Sequence, residues 1–78
     1  MYYVYCIQNF RREDFYYGYT EDLIRRMKEH KSEDRACELI YYEAYRSKQD
    51  ATKREKKLKD YGQSRTHLKN RISNSILK

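Results

Sequence analysis

A glutamate at a position where a helix should turn toward its core is the first sign of chemistry in this sequence. Between Ser47 and Tyr61 the core stripe at helical spacing runs Ala51, then 54 or 55, then Leu58, then Tyr61, and Glu55 stands on it. A carboxylate turned toward a sheet is costly unless it is paired or metal-bound. Periodicity leaves two readings open: Glu55 holds a cation, or it snorkels and bonds to tyrosine hydroxyls or to Arg26. A single carboxylate suits Mg²⁺ or Mn²⁺ rather than zinc, because Mg²⁺ keeps several waters and often takes one or two carboxylates plus phosphate oxygens. An earlier helix-like stretch, Glu21 to His30, carries Leu23, Ile24 and Met27 as its core stripe, with Arg26 and His30 together along one margin. Arg26 is suited to gripping a phosphate oxygen through its planar fork, while Arg25 faces solvent. His30 could assist proton transfer, hydrogen-bond a phosphate, or be a plain helix-end surface histidine. Cys6 and Cys37 lack metal-ligand or CxxC spacing, so both should be reduced and buried, and a zinc site from Cys37, His30 and His67 is disfavoured.

The elements that must position these groups can be read in order. Tyr3, Tyr5 and Ile7 alternate with Tyr2, Val4 and Cys6 to mark a first strand, the polar run Asn9 to Asp14 turns the chain, and Phe15 to Tyr19 returns as its antiparallel partner. Thr20 is the expected N-cap of the first helix, with Glu21 and Asp22 in its first turn. Glu38 to Tyr45 reads as a third strand. Ser47 with Asp50 resembles a capping box opening a helix that ends near Tyr61, with Gly62 as C-cap. Ser64 should cap a last helix over about 64–77 with the stripe Leu68, Ile72 and Ile76. The order β-β-α-β-α-α predicts an α+β fold, a three-stranded antiparallel sheet flanked by helices.

Seventy-eight residues make a single domain, with a core expected over 1–62 and the basic C-terminal helix beyond it. Ten tyrosines with no Trp or Pro suggest a sheet with one open polar face, most of the rings being packing. No apolar run reaches membrane-span or signal-peptide length, so a soluble, cytoplasmic protein is expected. The net charge of +6 is uneven: residues 1–45 hold seven Lys/Arg against nine Asp/Glu, residues 46–78 eleven against three. A cationic second half points to a polyanionic partner, nucleic acid before membrane. Lys53, Lys56, Lys57, Lys59, Arg65, Lys69 and Arg71 are the candidate phosphate-backbone contacts.

Tyr3-Val4-Tyr5 and Tyr16-Tyr17-Gly18 on the two strands, Arg26 eight residues after Gly18, and Glu55 within Arg54-Glu55-Lys56-Lys57-Leu58-Lys59 resemble the signatures of the GIY-YIG nuclease family, in its small stand-alone bacterial form. The resemblance spans nearly the whole chain. It implies that one of Tyr5 and Tyr16, more often the first, helps activate the attacking water and that the other orients the scissile phosphate, that Arg26 is the family arginine and that Glu55 binds the metal. His30 stands where the family often has histidine or tyrosine. A phenol with a pKa of about 10 is mostly protonated at neutral pH, so a base role for Tyr5 needs a nearby cation. Gly18 matches the family glycine, and its missing side chain lets backbone or substrate approach closely. Tyr3 replaces the first signature glycine, and the short segment after the first helix offers only Lys31 and Arg35 as bases.

The resulting expectation is a divalent-metal-dependent endonuclease that hydrolyses DNA phosphodiesters with Mg²⁺ or Mn²⁺, weakly specific or structure-selective, with a protein partner as one source of specificity. The alternatives are a nucleic-acid-binding module that keeps the fold without turnover, and a partner-activated nuclease subunit.

Overall fold

Strand β1 (Tyr2–Asn9) is buried without interruption from Val4 to Asn9. A strand covered on both faces belongs in the middle of a sheet. In the computed structural model, which describes residues 1–77, β1 lies between β2 (Asp14–Thr20) and β3 (Cys37–Tyr45), all antiparallel, in the order β2-β1-β3. The architecture is the expected α+β arrangement, with α1 (Leu23–Glu33) between β2 and β3, then α2 (Lys48–Asp60) and α3 (Gly62–Arg71). Lys78, the last residue of the expected domain, lies outside the described residues.

Register sets which side chains share a face. Tyr5 pairs with Gly18 and Ile7 with Tyr16, whereas Cys6 pairs with Tyr17 and Gln8 with Phe15. Because side chains alternate along a strand, Tyr5, Ile7, Tyr16 and Gly18 share the face that meets α1. Val4, Cys6 and Tyr17 point the other way and pack with Ala51, Leu58 and Leu68 of α2 and α3 to form the core. Against β3 the register shifts between Cys6 and Ile7, a bulge that splits the β1–β3 ladder. The β1–β2 turn is fastened by Asn9, whose Oδ1 accepts from the backbone N–H of Arg11 and Arg12, both at 3.0 Å. Glu13 completes the turn in the left-handed region at φ 58°.

Several local expectations are corrected by tertiary context. Asp22, not Thr20, caps α1, its carboxylate accepting from Arg25 N–H at 3.1 Å. The Thr20 hydroxyl accepts from Asp22 N–H one step earlier, so neither Glu21 nor Asp22 lies in the first helical turn. Ile24 is 73% exposed, because the sheet meets the Leu23, Met27 and His30 side of α1 and leaves Ile24 to water. Ser47 caps α2 as expected, accepting from Asp50 N–H at 3.4 Å, but Tyr61 is exposed and is not part of the core stripe. Gly62 is no C-cap: neither glycine takes a positive φ, and Gly62 opens α3. The end of α2 is closed instead by Arg65, whose Nη1 donates to the carbonyls of Leu58 and Lys59, each at 2.8 Å. Ser64 lies inside α3 and caps nothing.

The last helix is shorter than expected. It stops at Arg71 and gives way to a 3₁₀ turn over Ser73–Ser75, since Ser and Asn side chains compete with helical backbone bonds. The chain end is tied down by Gln8, whose Nε2 donates to Leu77 O and whose Oε1 accepts from Leu77 N–H, both at 2.7 Å. Cys6 and Cys37 are free thiols, Cys6 buried and Cys37 only partly so. Among the described residues no helix is long and apolar enough to cross a membrane.

Candidate active site

Tyr5 is placed by a hole in the neighbouring strand. Its cross-strand partner is Gly18, and a Cβ there would collide with Cζ and Oη of Tyr5 and lie 2.9 Å from Cε2 of Tyr16. The phenol therefore lies over the glycine, and the space that Gly18 vacates is filled by Tyr5. Only 1% of Tyr5 is exposed, and its hydroxyl meets Nε2 of His30 at 2.9 Å.

His30 comes from α1, and Arg26 precedes it by one helical turn, on the same side. The His30 ring is buried, with its centroid 5.6 Å from that of Tyr5 and 5.3 Å from that of Tyr16. The two tyrosine rings are 6.2 Å apart. Three rings thus converge from β1, β2 and α1. Arg26 Nη1 is paired with Glu29 Oε1 at 3.0 Å, a contact within α1 that holds the guanidinium beside both phenols and keeps it charged.

Burial and charge fix the protonation states. Burial pushes the Tyr5 phenol up to about 12, while Arg26 pulls the other way and Tyr16 and Glu55 add to the rise. Tyr5 is therefore a neutral hydroxyl at physiological pH, and its own titration lies well above pH 7–9. Burial also lowers the His30 pKa, reinforced by the Arg26 charge. A neutral imidazole in the tautomer that carries its proton on Nδ1 can accept a hydrogen bond from the Tyr5 hydroxyl at Nε2.

Glu55 reaches this group from α2. On the helical wheel Ala51 and Leu58 face the core, and positions 54 and 55 flank that direction on opposite sides. The first flank belongs to Arg54, which binds Glu43 of β3 through Nε at 3.0 and 3.1 Å. The second belongs to Glu55, three-quarters buried, whose Oε2 is 3.2 Å from Lys59 Nζ. Lys59 in turn stands 5.5 Å from the Tyr16 ring centroid, which ties this side of α2 to the tyrosines. Among the described residues no three His, Cys, Asp or Glu side chains converge on a metal position. One partly buried carboxylate beside an exposed tyrosine fits a cation that completes its shell with water and phosphate oxygens. It does not fit zinc, which asks for three or four protein ligands.

The other cations divide. Lys53 and Lys56 are exposed on α2, Lys56 on the Lys59 side of the helix. Arg65 is engaged in capping α2. Lys69 lies 4.2 Å from the Phe15 ring centroid, and Arg71 donates to the Tyr41 hydroxyl at 2.8 Å. Phe15 has the opposite strand parity to Tyr16, so Lys69 sits across the sheet from Tyr5. Sequence reasoning missed the Glu43–Arg54 pair, although Tyr41, Glu43 and Tyr45 at two-residue spacing were its visible signal. It also missed Asn9, Arg12 and Asp14 at the mouth of the site, for which only the turn-forming Asn9 was a clue.

The family model described as the GIY-YIG catalytic domain matches residues 1–71. No curated protein and no solved structure matches the chain. The matched segment runs from the start of the chain to the end of α3 and contains every residue of the ring cluster together with Arg26 and Glu55. A match over nine-tenths of the sequence settles membership: the chain belongs to the GIY-YIG catalytic-domain family of nucleases.

Proposed function

We propose that the protein is a divalent-metal-dependent endonuclease that hydrolyses phosphodiester bonds in DNA. The observation that carries this reading is the Tyr5–His30 hydrogen bond beside Arg26, with Glu55 across the edge of the sheet. Arg26 grips a non-bridging oxygen of the scissile phosphate and offsets the charge that develops there. Tyr16, 44% exposed, orients the phosphate from the open side. Water next to Tyr5 loses its proton to the Tyr5 oxygen as the Tyr5 proton moves to Nε2 of His30, so the phenol never has to persist as phenolate. The neutral state of His30 is what makes that transfer available near pH 7.

Glu55 is the residue that would hold Mg²⁺ or Mn²⁺, and such an ion would supply positive charge to stabilise the cleaved phosphate and its leaving oxygen. Lys59, exposed and held to Glu55 only by a 3.2 Å contact, would be available to a neighbouring phosphate. Lys56 stands on the same side of α2, and Lys53 extends the exposed row. Arg65 keeps its backbone carbonyl partners on α2, Lys69 and Arg71 keep their ring and hydroxyl partners, and the three form the outer part of the footprint. Binding by such a surface is salt-dependent and carries little sequence information, so specificity comes from substrate structure or from a protein partner.

Metal-dependent nicking of supercoiled plasmid tests the reading. Wild type should nick with Mg²⁺ and not with chelator, Arg26→Ala should lose turnover, and Arg25→Ala should match wild type. Lysine at position 26 should rescue poorly, because a point charge does not reproduce the planar fork. DNA binding with no nicking under any divalent cation would make the chain a binding module that retains the fold without the reaction.

A further inference from the structure

A cavity of about 410 Å³ opens from Tyr16, Arg26 and His30 and runs toward the β1–β2 turn. Its size is that of a site for a small organic group rather than an ion. Ile7, 2% exposed, supplies an apolar floor, and Tyr16 supplies an aromatic wall. The far rim is polar, made by Arg12 and Asp14 from the hairpin and by Glu33 and Asp34 from the end of α1.

The charges decide what fits. Arg12 is 3.6 Å from Asp14 and Arg26 is paired with Glu29, so among the described residues both cations that line the cavity are opposed by a carboxylate. Three carboxylates line it, and a second phosphate would be repelled. Asp34 is already bound by Ala36 N–H and Asn9 Nδ2, both at 2.9 Å, and serves as rigid wall. Glu33 is exposed and remains as an acceptor, and Asp14, exposed as well, keeps its second oxygen free of the 3.6 Å contact that Arg12 makes to Oδ2. A flat, uncharged ring with amino donors on its edge matches an aromatic wall, an apolar floor and a carboxylate rim.

We propose that this cavity is a nucleobase subsite for the nucleotide next to the scissile phosphate, with Tyr16 stacking on the base and Asp14 and Glu33 accepting from its exocyclic amino group. The proposal rests on the nuclease reading for its neighbour, the scissile phosphate, and it adds a substrate class. A base held in a duplex cannot enter a recess of this kind, so the nucleotide must be unpaired or flipped. Single strands, flaps and mismatched ends are then the substrates. Adenine and cytosine carry an exocyclic amino group and thymine does not, which predicts a base preference.

The test uses the full chain, isotopically labelled, titrated without metal with dAMP, dCMP, dTMP and deoxyribose 5-phosphate, and followed by amide shifts at Ile7, Asn9 and Cys37. The expected result is shifts at those residues and binding of dAMP and dCMP about tenfold or more tighter than the base-free sugar phosphate, with dTMP between. AMP in parallel reports whether ribose is accepted in the same place. The Asp14→Ala/Glu33→Ala double variant should bind dAMP and dTMP equally. Should that variant fail to fold, the wild-type ranking still decides. Equal binding of dAMP and deoxyribose 5-phosphate, or shifts that avoid the cavity, would overturn the subsite. Mg²⁺-dependent cleavage of a single-stranded oligodeoxynucleotide separates the two ideas: base-independent binding with active cleavage removes the subsite alone, and base-dependent binding with no cleavage of that strand removes the nuclease reading alone.

Discussion

Two glutamates sit on opposite sides of α2, and the protein treats them differently. Glu43 is enclosed: the hydroxyls of Tyr41, at 2.7 Å, and Tyr45 donate to it, Arg54 binds both its oxygens, and only 15% of its side chain is exposed. Burial pushes its pKa up, but the bonds from Tyr45, Tyr41 and Arg54 outweigh that and leave the carboxyl below its ordinary value. Among the described residues Glu55 is paired with one flexible lysine, a turn away in its own helix. A pair of that kind contributes little to stability and is readily exchanged. Burial of a carboxylate is therefore a poor guide to function by itself. The partners that hold it are more informative: fixed donors from several elements mark a structural group, one displaceable partner marks a group available for a ligand.

Neutralising each carboxylate in turn should separate the two most strongly. Glu55→Gln should abolish metal-dependent nicking and leave the melting temperature and DNA binding near wild type. Nicking by this variant within tenfold of wild type would remove Glu55 from the metal site. Gly18→Ala should come close in effect, because the new methyl group must displace Tyr5 from His30. Nicking should be lost and the thermal midpoint lowered, overpacking of this kind costing about 1–3 kcal/mol.

Glu43→Ala should do the reverse. Removing one partner of an enclosed ion pair costs about 3 kcal/mol, a fall of about 12–24 °C in melting temperature for a domain of this size, read by circular dichroism. Nicking measured well below the new midpoint should persist. A stable but inactive Glu43 variant would mean that the structural and functional sides are misassigned.

Acid titration of stability separates the groups next. The unfolded chain protonates His30 near its ordinary value of 6.5, the folded chain only at lower pH. Between those values the unfolded state binds more protons, so stability is full above pH 6.5 and declines as pH falls below it. His30→Asn should lack that decline. The Glu43 contribution is present above its ordinary value of 4.5 and is lost as pH falls through the depressed folded value. Over pH 7–9 Tyr5, held at about 12, contributes no rise to the single-turnover rate. A steep rise there that vanishes in Tyr5→Phe would show the phenol ionising after all.

The smallest expected effect is on binding. Lys56→Gln should flatten the dependence of log K on log salt by about one unit. The Lys69→Gln/Arg71→Gln pair, across the sheet from Tyr5, should change it less. The opposite ranking would move the nucleic-acid surface to the α3 side.

Local sequence determined the element order and the α+β class, because alternation in β1 and β2 and the wheel of α2 repeat over enough residues to fix a period. It also marked Gly18 as a place of close approach, but that the group lying over it is the Tyr5 phenol came from the β1–β2 register. Tertiary structure alone decided which side of a helix faces the sheet to within one residue. A step of one position turns a side chain by about 100°, so Ile24 looked buried and is not, and positions 54 and 55 looked equivalent. The choice between them was made by β3, which brings Glu43 to Arg54 and leaves Glu55 on the side of the tyrosines. The same holds for the cations: composition located the charge in the second half of the chain, but only packing showed that Arg65 closes α2 and that Lys69 and Arg71 rest on rings across the sheet. Periodicity describes an element's own geometry, whereas the partner of a charged group is set by contacts between residues distant in sequence, which no local pattern encodes.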